Sequence, residues 1–314
     1  MQDKFGRTIS YLRLSVTDLC NLRCKYCMPE AGVCKKTHEE MLTEDEMILA
    51  VQVAVSLGVK KIRITGGEPL VKKNILSICE RISKLSGIEE VTLTTNGILL
   101  KDFAQGLKAA GVKRLNISLD TLDPQKFFEI TRGGDLQKVL AGIEEAIKVG
   151  FKKIKLNVVL MAGFNEDEIR SLAQLSLNKP IDVRFIELMP MVDINYEPTA
   201  FLNSQKVLEV LPELEELKIE GVAKLYRLPK ALGNIGLISP VSEDFCAGCN
   251  RIRLTADGKF KPCLHSSEEF SIKGLDFAGM QEAMKKAVLT KPAKHGDLIK
   301  NKSQAQRSMN TIGG

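Results

Sequence analysis

Leu12-Arg13-Leu14-Ser15-Val16-Thr17 alternates apolar and polar residues, and Asp18-Leu19-Cys20-Asn21-Leu22-Arg23-Cys24-Lys25-Tyr26-Cys27 follows it directly. The first stretch reads as a strand with one apolar and one polar face, because successive side chains on a strand point to opposite sides. The second is a CxxxCxxC run, whose three thiolates can converge on one centre if the chain loops around it. A structural zinc completed by a distant fourth ligand is one reading of such a run. The other is a 4Fe–4S cluster held by three cysteines, which leaves one iron open to an outside ligand.

The alternation recurs downstream. Lys61, Arg63 and Thr65 stand against Ile62 and Ile64, and Arg114, Asn116, Ser118 and Asp120 against Leu115, Ile117 and Leu119. Lys153, Lys155 and Asn157 stand against Ile154, Leu156 and Val158. Strands are expected near 11–17, 60–65, 90–95, 113–119, 152–160 and 181–187, with amphipathic helices between them, including 43–57, 72–85, 135–149 and 165–177. Thr43-Glu44-Asp45-Glu46 supplies an N-cap and an acidic first turn to the first of these helices. Repeated strand–helix units imply parallel strands joined by right-handed crossovers. Six such units are fewer than the eight of a closed barrel. The expected fold is therefore α/β, an open, partial (β/α)6 TIM-type barrel.

Buried parallel strands usually read as continuous apolar runs. Here the apolar faces must pack on the helices, which turns the polar faces into the barrel. An interior lined by Arg13, Lys61, Arg63, Arg114, Lys153, Lys155 and Arg184 against few acids is costly unless a large anion such as a polyphosphate sits there. An antiparallel sheet with one solvated face would also alternate, but the helix-length connections favour parallel strands.

Gly66-Gly67-Glu68-Pro69 follows the second strand, where barrel active-site loops lie. Its glycines let backbone approach a ligand, and Glu68 can accept from an ammonium group. The pattern changes after Pro190. Residues 190–215 read as a linker, dividing the chain into 1–189, the barrel, and 190–314, an α+β extension. There Cys246-Ala247-Gly248-Cys249 and Cys263 repeat the three-cysteine theme, and His265 would close a zinc site if the metal were zinc. Arg251 and Arg253 occupy alternate positions of a short strand, so both can address one ligand with forks suited to phosphate.

The chain has 314 residues, 44% hydrophobic and 27% charged, with a formal net charge of +6. That describes an ordinary globular protein with a mild basic bias. Aromatics are 5% and Trp is absent, which argues against a nucleic-acid-binding module. No run approaches the ~20 apolar residues of a membrane span, and the N-terminus carries no apolar signal segment. Six of eight cysteines lie in two compact clusters, a pattern of metal ligands in a reducing compartment, expected to be the cytoplasm. Cys34 and Cys79 read as non-ligands, and His38 and His295 have no evident partner.

CxxxCxxC with Tyr26 before the third cysteine is similar to the signature of the radical S-adenosylmethionine (SAM) enzymes. The wider text is closer still to the GTP 3′,8-cyclase family of molybdenum-cofactor biosynthesis. It includes Leu12-Arg13-Leu14-Ser15-Val16-Thr17-Asp18, Ile64-Thr65-Gly66-Gly67-Glu68-Pro69, Thr94-Thr95-Asn96-Gly97, Arg184-Phe185-Ile186-Glu187 and Gly313-Gly314. This resemblance implies two 4Fe–4S clusters, on Cys20, Cys24 and Cys27 and on Cys246, Cys249 and Cys263. SAM would be bound through Tyr26, Gly67, Ser118 and Met189, with Glu68 beside them. GTP would be contacted by Arg13, Arg63, Thr94, Lys155, Arg184, Arg251 and Arg253. Arg13, Arg251, Arg253, Gly313 and Gly314 would be catalytic, the Gly-Gly tail reaching into the site.

The implied chemistry begins with an electron from the first cluster to SAM. The resulting 5′-deoxyadenosyl radical takes hydrogen from C3′ of GTP, and the carbon radical attacks C8 of guanine. The implied partners are GTP, an electron donor, the next pathway enzyme (cyclic pyranopterin monophosphate synthase) and a second copy of the chain in a homodimer. No nucleic acid or membrane partner is expected. A peptide-modifying radical SAM enzyme and a zinc-stabilised binding module are the rival readings. The first gives little reason for so many interior cations, and the second predicts cations on exposed helices.

Overall fold

The structure is a computed structural model. It describes residues 1–313 apart from 34–35, 192–199, 244, 297 and 299–302. The expectations for Cys34 and Gly314 lie outside the described residues. The N-terminal half is a run of strand–helix units: β1 (Tyr11–Ser15), α1 (Glu44–Ser56), β2 (Lys61–Thr65), α2 (Ile75–Ser83), β3 (Glu90–Thr95), α3 (Leu100–Ala109), β4 (Arg114–Ser118), α4 (Pro124–Thr131), α5 (Leu136–Lys148), β5 (Ile154–Leu160), α6 (Ile169–Asn178) and β6 (Ile181–Glu187). β1 to β6 pair in chain order, all parallel. The two ends of this sheet do not meet. It is the open partial barrel that six crossover units imply.

Local chemistry places the helices. Thr43 and Glu46 form a complete capping box at α1. Asp123 caps α4 with Pro124 at its first position, and Asp135 caps α5. The helices expected at 72–85 and 165–177 each begin later, because Pro69–Val71 and Glu166–Glu168 form short 3-10 turns ahead of them. Apolar faces of the strands, such as Leu12, Leu14, Ile62, Ile64, Leu115 and Ile117, are sealed against these helices in one continuous core.

The C-terminal part adds α7 (Gln205–Val210), β7 (Glu215–Glu220), β8 (Ala223–Arg227), β9 (Ile235–Ile238), β10 (Arg251–Leu254), β11 (Lys259–Lys261), β12 (Phe270–Ser271), α8 (Phe277–Leu289) and α9 (Met309–Ile312). These strands extend the same sheet on both edges, in the order β12-β11-β10-β1-β2-β3-β4-β5-β6-β9-β8-β7. β10 runs parallel to β1 and β9 parallel to β6. Arg251 and Arg253 thereby stand beside Tyr11 and Arg13.

Two of the lysines expected inside are not there. The Lys61 side chain is 48% exposed and reaches Glu90, and Lys153 lies exposed before β5 begins. Both sit at the start of a strand, where a long aliphatic stem carries the ammonium out to water. Nor are the remaining cations without acids: Glu90, Asp182 and Glu220 pair with Arg114, Lys155 and Arg184.

Candidate functional site

The polar faces of the parallel strands form one layered surface. Register sets Arg13 beside Arg63 on one side and Arg253 on the other, Thr94 beside Asn116, Asn116 beside Lys155, and Asn157 beside Ser118 and Arg184. Arg13, Lys155, Arg184 and Arg253 are all under a tenth exposed. Burial pushes the Arg13 guanidinium well down from its ordinary value, and the neighbouring charges of Arg253 and Arg63 add to this. Arg253 is lowered to about 10 by burial and Arg251. Lys155 is lowered by burial and by Arg184. With its amide oriented to suit its neighbours, Asn116 accepts from both terminal nitrogens of Arg63 at 3.1 and 3.2 Å. Arg63 also lies over the Tyr11 ring, 5.5 Å from its centroid. Donors remain: Thr94 Oγ1, Arg114 Nε and Arg184 Nε are buried with no hydrogen-bond partner among the described residues. A set of buried cations with unused donors is a site for an anion.

The first cysteine loop follows β1 and closes on itself through Cys27 N–H, which donates to Cys24 O at 2.9 Å. Cys20 Sγ accepts from Leu22 N at 3.4 Å and from Asn96 Nδ2 at 3.8 Å. Burial raises all three thiols, Cys27 to about 12, and Cys24 is raised further by Cys27, Asp120 and Cys20. Mutually repelling thiolates in a dry pocket call for a cation to share. The end of α4 cradles this loop. Arg23 N and Lys25 N donate to Thr131 O and Ile130 O, and Arg132, in a left-handed conformation, donates to Arg23 O at 2.8 Å. Sequence reasoning missed this cradle, although Thr131-Arg132-Gly133-Gly134 is a turn signal directly after a helix.

Gly66 and Gly67 are needed by the chain itself. A Cβ on Gly67 would stand 2.4 Å from Leu19 O, and one on Gly66, whose φ is +144°, 2.4 Å from Thr17 O. The loop after β2 is thus pressed flat against the backbone entering Cys20. Glu68 is buried and accepts from Leu70 N, Thr95 Oγ1 and Asn96 N at 2.7–3.0 Å, and burial lifts its carboxyl to about 7. Tyr26 Oη donates to Asp120 Oδ2 at 2.6 Å, and burial raises that carboxyl to about 6. Ser118 and Met189 are half-buried at the ends of β4 and β6.

The second cysteine loop repeats the turn of the first, with Cys249 N donating to Cys246 O at 3.1 Å. Arg7, buried near the N-terminus, donates to Cys246 O, Ala293 O and Pro292 O. Lys291, 3% exposed, donates to Arg251 O and Pro262 O. Burial would raise the Cys249 thiol, but Lys291 and Arg251 outweigh it and bring it to about 7. Arg7 and Lys291 carry no motif that could have announced them. His265 shares a hydrogen bond with Ser303 Oγ through Nδ1 at 3.0 Å, and its ring meets that of His295. Cys79 is fully buried on α2, away from both loops.

The C-terminal segment joins the two halves. Asn310 N–H lies on Cys27 Sγ, and Asn310 Nδ2 donates to Asp18 O at 3.1 Å. Gly313 O accepts from Arg13 Nε at 3.2 Å and from Arg253 Nη1 at 2.5 Å. Ile312 packs with Met191 and Ala305 and draws in Met189, Leu264 and Met309. The first cysteine loop follows the C-terminal end of β1 and the second precedes the N-terminal end of β10, its parallel neighbour, so the cations of the polar strand faces and Gly313 lie between the two loops.

Among the described residues, no three His, Cys, Asp or Glu side chains converge on a point that would hold one metal ion. A four-iron cluster needs no such point, because each thiolate binds its own iron. The two three-cysteine loops fit that group in number and chemistry.

Two family models match the chain: the Radical SAM superfamily over residues 14–176 and Molybdenum Cofactor Synthesis C over residues 181–297. The GTP 3′,8-cyclase of Alkaliphilus oremlandii is 49% identical, with both chains covered completely. That of Peptoclostridium acidaminophilum is 49% identical over 99% of this chain and 98% of the relative. Among solved structures, Streptococcus suis SuiB aligns with a TM-score of 0.62 at 15% identity, covering 82% of this chain and 61% of that one. Methylornithine synthase (PylB) aligns with a TM-score of 0.52 at 17% identity, covering 66% and 63%. At these identities the two structures speak for the fold.

Proposed function

The chain belongs to the GTP 3′,8-cyclases of the radical SAM superfamily, and we propose that it carries out their reaction in the cation-lined interior between its two cysteine loops. It is a radical SAM cyclase of molybdenum-cofactor biosynthesis that joins C3′ of the GTP ribose to C8 of guanine. Cys20, Cys24 and Cys27 would hold one 4Fe–4S cluster and Cys246, Cys249 and Cys263 a second; with SAM these groups would supply the one-electron chemistry that starts the cyclisation at C3′.

The observation that carries the site assignment is the polar surface on which Arg13, Lys155, Arg184 and Arg253 are nearly sealed, with buried donors unused, among the described residues, on Arg63 Nε, Thr94 Oγ1, Arg114 Nε and Arg184 Nε. Its charge suits a triphosphate, and Thr94 Oγ1 is free to donate to it. Arg251, at the other end of the short β10 register, adds a fork beside Cys249. Glu68 Oε2 carries a single bond, from Asn96 N, and so retains capacity to accept from the ammonium of SAM. The flattened Gly66-Gly67 backbone, Tyr26, Ser118 and Met189 complete that half of the pocket. Gly313 accepts from Arg13 and Arg253 and so orients them, and in this reading the tail that carries it keeps water from reactive carbon centres. The functional division of the chain falls at 189/190, the first part serving SAM and the second the purine.

The same reading includes an external one-electron donor, hand-over to cyclic pyranopterin monophosphate synthase, a homodimer and a cytoplasmic location. Among the described residues no helix is long and apolar enough to cross a membrane. The test is GTP binding to anaerobically reconstituted Arg13→Ala and Lys155→Ala. Loss of a charge-assisted phosphate contact predicts about 10- to 100-fold weaker binding, with iron content unchanged. Full affinity in both variants overturns the assignment.

A further inference from the structure

We propose that Glu220 is a built-in stand-in for a substrate phosphate: it holds Lys155 and Arg184 in the free enzyme and surrenders them to the triphosphate of GTP. The proposal rests on the assignment of those two cations to GTP. Glu220 Oε1 accepts from Lys155 Nζ at 2.6 Å and from Arg184 Nη2 at 3.0 Å. One oxygen thus bridges the two cations, as a phosphoryl oxygen would. Both cations belong to the polar faces of β5 and β6 and are nearly sealed, with side chains 4% and 9% exposed. Glu220 is different. Its side chain is 46% exposed, so it approaches from the open side, along a route that solvent and ligand share.

The element that carries Glu220 is built to move cheaply. It is the last residue of β7, the outermost strand of the sheet, and every residue of β7 is exposed. β7 pairs only with β8, and their register slips between Glu216 and Lys218. Leu217 and Ile219 are exposed and anchor nothing in the core. An edge strand with no buried side chain, paired on one side alone, belongs to the low end of local stability. By contrast, the cations it touches sit on central strands. When the carboxylate leaves, Lys155 is not stranded, because Asp182 Oδ2 remains at 3.7 Å.

The need for such a device follows from the fold. Arg63, Arg114, Lys155 and Arg184 repel one another on the inner face of an open sheet, and burial together with neighbouring cations holds Lys155 and Arg184 below their ordinary values. A carboxylate lent from the rim offsets that repulsion until the nucleotide arrives. It also takes part of the binding energy, since GTP must compete with it. An ion pair with one half-exposed member holds a site closed only modestly, so removing it predicts an apparent GTP affinity about fivefold higher. A permanent structural pair predicts the reverse, because its loss would leave Lys155 and Arg184 less well placed.

The experiment is equilibrium dialysis of GTP against the reconstituted wild type, Glu220→Gln and Lys155→Ala. Tighter binding by Glu220→Gln, with weaker binding by Lys155→Ala, is the expected result. Unchanged or weaker binding by Glu220→Gln overturns the proposal while leaving the site assignment in place. Undiminished binding by Lys155→Ala overturns the site assignment itself, and the stand-in with it. Hydrogen exchange of the wild type needs no variant: amides of 215–220 should exchange faster with GTP than without. Equal or slower exchange counts against displacement.

Discussion

Gly313→Ala tests how the C-terminal tail is seated. Gly313 has φ +77°, and a Cβ there would stand 2.5 Å from Thr65 Oγ1 and 3.2 Å from Ser15 Cβ. The left-handed conformation costs a non-glycine residue about 1–2 kcal/mol. Overlap in a packed mouth adds about 1–3 kcal/mol. Against this the tail gains about 1.5–3 kcal/mol from burying Ile312, and about 3–6 kcal/mol from the two charged hydrogen bonds to Gly313 O. The strain therefore removes about half of the seating energy, and the alanine variant should undock its tail more often without unfolding the barrel. Carboxypeptidase digestion followed by mass spectrometry should release the last residues at least about tenfold faster than in wild type, since 1.4 kcal/mol is tenfold. Turnover of GTP should fall with it, while iron per chain and melting temperature hold. A variant that keeps both protease resistance and turnover would refute this seating of the tail.

Two further outcomes follow from buried charge. Glu187, the acid of Arg184-Phe185-Ile186-Glu187, is fully buried and accepts from Ser204 N, Val241 N, Ser242 N and Ser242 Oγ. Glu187→Ala orphans these donors, at about 1–3 kcal/mol each before water relieves some of them. A drop of about 10 °C in melting temperature is expected by calorimetry, and an unchanged melting temperature would show that water satisfies them. Arg307 ties the C-terminal segment to Asp257 and Glu269. Burial would raise both acids, but Arg307, with Lys36 on Asp257 and Lys261 on Glu269, holds them below their ordinary values of 3.8 and 4.5. Folded values below unfolded ones give a stabilisation that is complete above about pH 5 and lost as pH falls further. Wild type should lose more melting temperature than Arg307→Met between about pH 5 and pH 3, and parallel curves would contradict the pairing.

The barrel was legible because its signals are periodic and local. Alternation over β1, β2, β4 and β5 named the faces of the strands, and Thr43 with Glu46 named a helix start. Both cysteine runs announced a metal by spacing, while the preference for a 4Fe–4S cluster over zinc came from the family resemblance. Alternation gives a face but not a depth, which is why Lys61 and Lys153 were expected inside and lie at the solvent end. The edges of the sheet were not legible: β9 to β12 are two to four residues each, too short to carry a period. Glu220 is 65 residues from Lys155 in sequence, and nothing local marks it as their partner. Gly66 and Gly67 were read as room for a ligand. Their first requirement is the carbonyls of Thr17 and Leu19.

The central claim is that each three-cysteine loop holds its own 4Fe–4S cluster around one GTP site. It is met most directly by counting iron, sulfide and zinc per chain after anaerobic reconstitution. The measurement covers wild type, a Cys20/Cys24/Cys27→Ala triple variant and a Cys246/Cys249/Cys263→Ala triple variant. About eight irons with matching sulfide in wild type, and about four in each triple variant, are predicted. About two zincs and no iron, the content of two structural zinc sites, would contradict it.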